Sequence, residues 1–425
     1  MTVGALTAFE HGEVPVQLER TADALSETEA ARLSELARRL PQLCDRGHRV
    51  IRFGAFCGIT SLGSRSLELL PKVDDRADPD QCRGILLGLL QRSRETTLFR
   101  QLQANQRLRS APLLDVFIAA YFDEVSGLVR AGLLREYQSH DDDLRAVRGR
   151  VLLNRQFSAL ADRRDLVSCR YDELTSDNSW NRLLKAALRA VRPWIRDTSL
   201  GRRWGELMVA FEDVADVHGD AAGVLRLRVD RKAARYGQAA EWARRILDEL
   251  SPSMRSGSHA SPGLLFDINK LWEDAVAVEL GRRLQAAGYE VRTQVTDLHL
   301  ATLEDTGARV VGLRPDLIIV RNGRTCAVAD TKWKRVALSR SGHLGVSRED
   351  VHQMVAYALA FRCERLALIY PWHSGIEGSR ETTLRLPEMN GLSPRLSVVC
   401  VDPNDATFVL KRGGFQFPGL SVSVA

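Results

Sequence analysis

The chain has 425 residues, 44% of them apolar and 27% charged, which is room for two or three ordinary soluble domains. Its net charge is +6, its pI about 9.0, and its excess of arginine over lysine suits a phosphate-rich partner, because guanidinium forks onto phosphate. Seven scattered cysteines without a Cys-x-x-Cys pair or a Cys/His cluster exclude a zinc site and a disulfide framework. No leader and no membrane-spanning run is apparent, so the expectation is a cytoplasmic protein with no membrane partner.

Residues 1–79 read as a β-rich module with one helix. Strands are expected over 14–18, 50–56 and 66–73. The helix covers 26–40, opened by a capping box of Ser26 and Glu29.

Over residues 80–250 the period changes to helical. Helices are expected at 81–93, 112–131, 177–188, 201–214 and 233–250, and Gly132 ends the second of them. Within this middle region Asp141, Asp142 and Asp143 read as a solvated turn, since consecutive carboxylates do not converge easily on one ion. Arg145, Arg148, Arg150 and Arg155 form a basic patch that suits a phosphate backbone, an acidic protein surface or ordinary exposed faces alike. Residues 251–262, rich in Ser, Gly and Pro and without period, read as the linker to a last domain at 263–425.

That domain opens with a long helix over 266–287, followed by strands at 291–295 and 308–313. Then comes RPDLIIVRNGRTCAVADTKWK, residues 314–334. The all-apolar run 317–320 is a strand buried on both faces, Asn322-Gly323 is a two-residue hairpin turn, and 326–333 is the partner strand. Alternation puts Asp330 and Lys332 on one face of that strand, with Asp316 at the mouth of the hairpin. Two carboxylates converging in this way make a hard-oxygen site of the kind Mg²⁺ prefers, with Mn²⁺ an acceptable substitute. The lysine beside them either orients or helps deprotonate a water, and it balances charge on a phosphate. A helix over 350–362 follows, with Asp350 in its first turn as a cap rather than a ligand. Gln353 and Tyr357 share one face of it, and the Gln353 amide suits the scissile region. His352 reads as an ordinary surface or core residue. Lys334 and Arg335, just past the active strand, are placed for DNA phosphate, with Tyr357 as a further DNA contact. Strands at 365–370, 397–401 and 407–411 close an α/β order.

Acid, turn, acid-x-lysine, here Pro315-Asp316 and Asp330-Thr331-Lys332, resembles the PD-(D/E)xK nucleases. That resemblance implies a restriction-endonuclease-like α/β domain at 263–425, preceded by the β-rich module and the mostly helical middle. It also implies an acid on the first helix completing the metal shell. Glu273 fits that place, with Asp274 and Glu279 as weaker candidates.

The set FDINKLWEDAVAVEL, RPDLIIV, ADTKWK and VHQMVAYA, with LELLPKV, FDEVSGLVRAGLLREY, LRAVRGRVLLNRQF, DNSWNRLLKAAL and RYGQAAEWARRIL upstream, resembles McrC, the nuclease subunit of modified-cytosine restriction systems. Trp272 and Trp333 stand where Phe and Tyr are expected, and both keep an aromatic ring. The likeness implies a Mg²⁺-dependent DNA endonuclease subunit that docks through its N-terminal and helical parts on a hexameric McrB-like AAA+ GTPase and stimulates it. The chain has no G-x-x-x-x-G-K-[ST] loop, so no nucleotide is expected to bind to it as a motor. The competing readings are a non-catalytic activator of an AAA+ partner and a PD-(D/E)xK nuclease of transposition or repair.

Overall fold

A computed structural model describes residues 5–404, less 20, 64, 75–77, 94–96, 100–109, 160–164, 218–226, 229, 251–263, 296–297, 339–343 and 377–380. The fold is mixed α/β and forms two compact units, Met1–Leu113 with Leu265–Ala425, and Leu114–Leu264.

The first unit begins with β1 (Leu6–Phe9), β2 (Glu13–Gln17), β3 (Leu25–Ser26), α1 (Glu27–Arg39), β4 (Cys44–Gly47), β5 (Val50–Phe53), β6 (Phe56–Ser61), β7 (Ser66–Leu70) and α2 (Pro79–Arg92). The expected capping box is formed: Ser26 Oγ accepts from Glu29 N, and Ser26 N donates to Glu29 Oε2 at 2.9 Å. β3-β2-β5-β4 make one sheet. β1 runs parallel to β7, and β6 pairs antiparallel with β7 in a second. Leu6, Val14, Leu33, Ile51 and Leu67 share one apolar core.

The second unit holds α3 (Leu113–Arg130), β8 (Glu136–Leu144), β9 (Arg150–Val151), α4 (Leu153–Ala159), β10 (Val167–Thr175), α5 (Ser179–Val191), α6 (Thr198–Ala210) and α7 (Gly237–Leu250). Here the sequence-based expectation needs correction. Asp141, Asp142 and Asp143 lie not in a turn but on β8, paired along its length with β10. Both faces of β8 are largely exposed, so no apolar alternation betrays the strand. Cross-strand partners hold it instead: Arg170 grips Asp141 with two bonds of 2.6 Å, and Ser168 donates to Asp143 at 2.6 Å. In the basic patch, Arg148 lies over the Tyr171 ring and Arg155 pairs with Asp143.

The chain then returns to the first unit with β11 (Leu264–Asp267), α8 (Ile268–Gln285), β12 (Glu290–Thr293), β13 (Leu298–Thr302), β14 (Arg309–Leu313), β15 (Leu317–Arg321), β16 (Arg324–Thr331), α9 (Arg348–Phe361), β17 (Arg365–Pro371), β18 (Glu381–Arg385) and β19 (Arg395–Val401). The compact units run differently from the division at residues 79, 250 and 263. β11 extends the sheet of β1, β7 and β6, α8 packs on α2, and Leu265 enters the N-terminal core. Such pairing between distant segments leaves no local pattern to read. The linker at 251–262 and the strand at 407–411 fall outside the described residues. Among the described residues no helix is long and apolar enough to cross a membrane.

The sheet that carries the chemistry has six strands in the order β12-β15-β16-β17-β19-β18. β15 and β16 are the expected hairpin, with Asn322 at φ 53° and Gly323 at φ 74°, the left-handed pair that a tight two-residue turn demands. β16 to β17 and β17 to β19 are parallel. On one face Val328, Leu366, Leu368 and Tyr370 pack with Met354, Tyr357 and Ala358 of α9. That packing aligns α9 along the β16 side chains, including the polar ones beyond Val328.

Candidate active site

The hairpin register pairs Leu317 with Ala329, so Asp316, one residue before β15, comes beside the end of β16. Asp316 Oδ2 accepts from Thr331 N at 2.7 Å and from Thr331 Oγ1 at 2.8 Å. Thr331, the middle residue of Asp-x-Lys, thus locks the first acid against the strand that carries the second.

Asp330 is 1% exposed. Lys332 Nζ stands 2.6 Å from its Oδ2, yet this buried oxygen receives no aligned hydrogen bond. Burial first, and then the Asp316 charge, push Asp330 up to about 6. Glu273 on α8 is pushed up to about 7, again by burial and then by Asp316, against a hydrogen bond from Gln294. Asp316 therefore presses on both of the other acids. Lys332 is held above its ordinary value: burial opposes its charge, but the Asp330 and Asp316 carboxylates outweigh it. Its Nζ also donates to Gln353 Oε1 at 3.0 Å. Gln353 Nε2 donates to the Tyr357 hydroxyl at 2.9 Å, and that hydroxyl donates to the Arg314 carbonyl at 3.0 Å. The chain of bonds fixes the Gln353 amide and ties α9 to the segment just before Asp316.

Other candidates fall elsewhere. Tyr357 is 2% exposed, so it is corrected from a DNA contact to a support for Gln353. Lys334 reaches the Asp350 carboxylate at 2.7 Å. Arg335 is exposed, and its charge acts on the buried Glu10. Glu279 is taken by Arg282 and Arg283 of its own helix, and Asp274 accepts from Ser93 at 2.7 Å. His352 is exposed on α9.

Asp350, expected as a cap, is instead the third residue of α9. Ser347 is the N-cap, accepting from Asp350 N, while the Asp350 carboxylate accepts from Tyr370 Oη at 2.7 Å as well as from Lys334. Although burial opposes its charge, these bonds hold its carboxyl below the usual range. The sequence signal for it is present, a serine three residues before an acid at a helix start. Gln294 carried no such signal: it stands just after β12 with φ 52°.

A divalent cation fits this donor set. The Asp316 charge raises both Glu273 and Asp330, and the buried Asp330 Oδ2 faces the Lys332 ammonium at 2.6 Å without an aligned hydrogen bond. Among the described residues no three acidic, histidine or cysteine side chains form a ready-made cluster around one point. Mg²⁺ does not require one, since it is usually held by one or two carboxylates, with water and phosphate supplying the rest.

A pH dependence follows. Glu273 and Asp330 bind protons more tightly in the folded chain than at their ordinary 4.5 and 3.8. The folded state then holds more protons than the unfolded between those values and about 7, so stability falls as pH rises through that window. In EDTA, Tm should fall by on the order of 2–4 °C between about pH 5 and about pH 8, and Mg²⁺ should restore it at the upper end. Differential scanning fluorimetry checks this; a Tm that ignores Mg²⁺ at both values would contradict it.

The family model of the McrBC 5-methylcytosine restriction system component matches residues 51–371. The chain belongs to this McrBC family. A chain of the refined half-complex from the tetradecameric assembly of Thermococcus gammatolerans McrB AAA+ hexamers with bound McrC shares the fold, with TM-score 0.68 and 18% identity over 95% of this chain and 98% of that one. A chain of the McrBC complex from the same organism matches with TM-score 0.48 and 21% identity over 66% of this chain and 88% of that one. No curated protein matches the sequence.

Proposed function

We propose that this McrBC-family chain is the subunit that cuts: a cytoplasmic, Mg²⁺-dependent endonuclease hydrolysing DNA phosphodiesters. The observation that carries the reading is the meeting of Asp316, Asp330, Lys332 and Gln353 at the end of one strand pair, with Glu273 electrostatically coupled to them. Asp316 and Asp330, assisted by Glu273, would hold the ion. When bound, Mg²⁺ supplies charge neutralisation for the scissile phosphate and its leaving oxygen. Lys332 keeps its proton near neutral pH, because its pKa is raised. Its part is therefore to orient the attacking water and offset phosphate charge rather than to act as the base. Gln353, fixed by Tyr357, sets the direction of the lysine.

The partner belongs to the same proposal. The Thermococcus gammatolerans half-complex holds McrC with McrB AAA+ hexamers, and its matching chain is covered almost end to end. A hexameric McrB-like AAA+ GTPase would read modified DNA and drive translocation, and this chain would stimulate its hydrolysis.

The test is cleavage of cytosine-methylated and plain plasmid by the full chain, with and without the neighbouring AAA+ protein and GTP, in Mg²⁺ or EDTA. Cutting is expected only of methylated DNA, with partner, GTP and Mg²⁺ all present. Stimulated GTP hydrolysis without cutting under any condition would instead establish a non-catalytic activator.

A further inference from the structure

Lys332 and Lys334 stand two residues apart at the end of β16, and α9 meets each with a different kind of group. Lys332 N donates to Ile369 O at 2.9 Å, so the ladder with β17 runs past Thr331 and the chain stays extended. Trp333 turns the other way, edge-on to Trp272 of α8 with ring centroids 5.4 Å apart, and its Nε1 donates to Glu10 Oε1 at 2.6 Å. The two lysines therefore share the α9 side. Facing them, Asp350 and Gln353 lie one turn apart on α9. Lys332 Nζ donates to the Gln353 amide at 3.0 Å, and Lys334 Nζ stands 2.7 Å from the Asp350 carboxylate.

An amide directs an ammonium group without cancelling its charge, whereas a carboxylate cancels it. Asp350 is 5% exposed and also accepts from Tyr370 Oη at 2.7 Å. Lys334 Nζ in turn donates to Ser347 Oγ at 3.5 Å. A buried carboxylate does not readily give up its counter-ion, because the charge left behind is uncompensated. Asp350 also borders the site, since its charge acts on both Asp330 and Lys332. Two free cations side by side would offer a DNA backbone two seats, one of them displaced from the ion site by about 7 Å, the length of two extended residues. Resting on the nuclease reading, we infer that Asp350 is a positioning residue that withholds Lys334 from DNA, so that of these two lysines only Lys332 meets the scissile phosphate.

The full chain with its AAA+ partner and a non-hydrolysable GTP analogue is titrated with methylated duplex in EDTA over a range of salt. The same preparations are assayed for cleavage in Mg²⁺ and GTP. Asp350→Asn sets Lys334 free. The salt slope of binding should steepen by about one, and affinity at low salt should rise about three-fold. Cleavage should meanwhile fall about ten-fold in kcat, because the backbone is drawn towards the wrong lysine. A merely damaged fold would weaken binding and cutting together. Asp350→Asn combined with Lys334→Met removes both charges, and it should return the slope to the wild-type value and recover most of the rate.

A double variant whose slope is flatter than the wild type by about one makes Lys334 a DNA contact and overturns the inference. So does a folded Asp350→Asn complex with unchanged slope and rate, or one that binds more weakly. Should Asp350→Asn fail to fold, the slope of the double variant decides alone. A wild-type complex that gives the expected slopes but never cuts leaves Lys334 out of DNA contact and overturns the nuclease reading instead.

Discussion

Asp330→Asn should slow DNA cleavage on the order of a thousandfold, while the chain folds normally and still stimulates its AAA+ partner. The substitution keeps volume and one oxygen but removes the charge that a cation needs. Asp330 sits at 1% exposure and is pushed up to about 6, so the wild-type fold already bears a cost for its ionised form. Losing that charge also ends its repulsion with Asp316. Lys332 loses an ion pair but keeps Gln353 Oε1 at 3.0 Å, and its side chain is 25% exposed. Stability should therefore hold, with Tm within about 2 °C of the wild type. Cleavage kinetics, GTP turnover by the partner and a melting curve on one preparation check all three expectations. A cleavage-competent Asp330→Asn complex would remove Asp330 from the mechanism.

The largest stability effect should come from Arg65→Met. Arg65 is 2% exposed, and it makes a two-pronged pair with Glu29, both bonds at 2.9 Å. It also donates to the carbonyls of Thr21 at 2.6 Å and Ala24 at 2.5 Å. Glu29 in turn accepts from Ser26 N as half of the α1 capping box. Removing the guanidinium strands a buried carboxylate and two carbonyls together, a loss of roughly 3–5 kcal/mol. Thermal unfolding should show a Tm lowered by about 10 °C. Glu29→Met combined with Arg65→Met should recover a good part of it, since no lone charge is then left inside. A single mutant as stable as the wild type would mean that this pair does not hold the N-terminal sheets and α1 together.

What could be read from the residues alone followed locality. The β15–β16 hairpin was legible because Asn322-Gly323 is a turn with one good geometry and 317–320 is an unbroken apolar strand. The α1 start was legible through Ser26 and Glu29, and α8 and α9 through their apolar spacing. Asp316, Asp330, Lys332 and Gln353 followed because each lies within one residue of such an element or upon it. β8 and β10 were not legible: they have two exposed faces, so their alternation carries no hydrophobic signal. Nor was the joining of β11 to β6, or the bond from Trp333 to Glu10 across 323 residues, because long-range pairing is decided by the folded chain rather than by any window of sequence. Gln294 belongs to the same class, with its partner Glu273 supplied by a distant element.

The nuclease reading rests on a divalent-cation site formed by Asp316 and Asp330, with Glu273 electrostatically coupled to Asp316. Mn²⁺ titration of the full chain, followed by the electron paramagnetic resonance of the free ion, tests it without DNA or partner. The wild type should take up an ion that Asp330→Asn and Asp316→Asn each fail to bind, while Lys332→Met retains it. Equal Mn²⁺ uptake by the wild type and both aspartate variants would contradict the account.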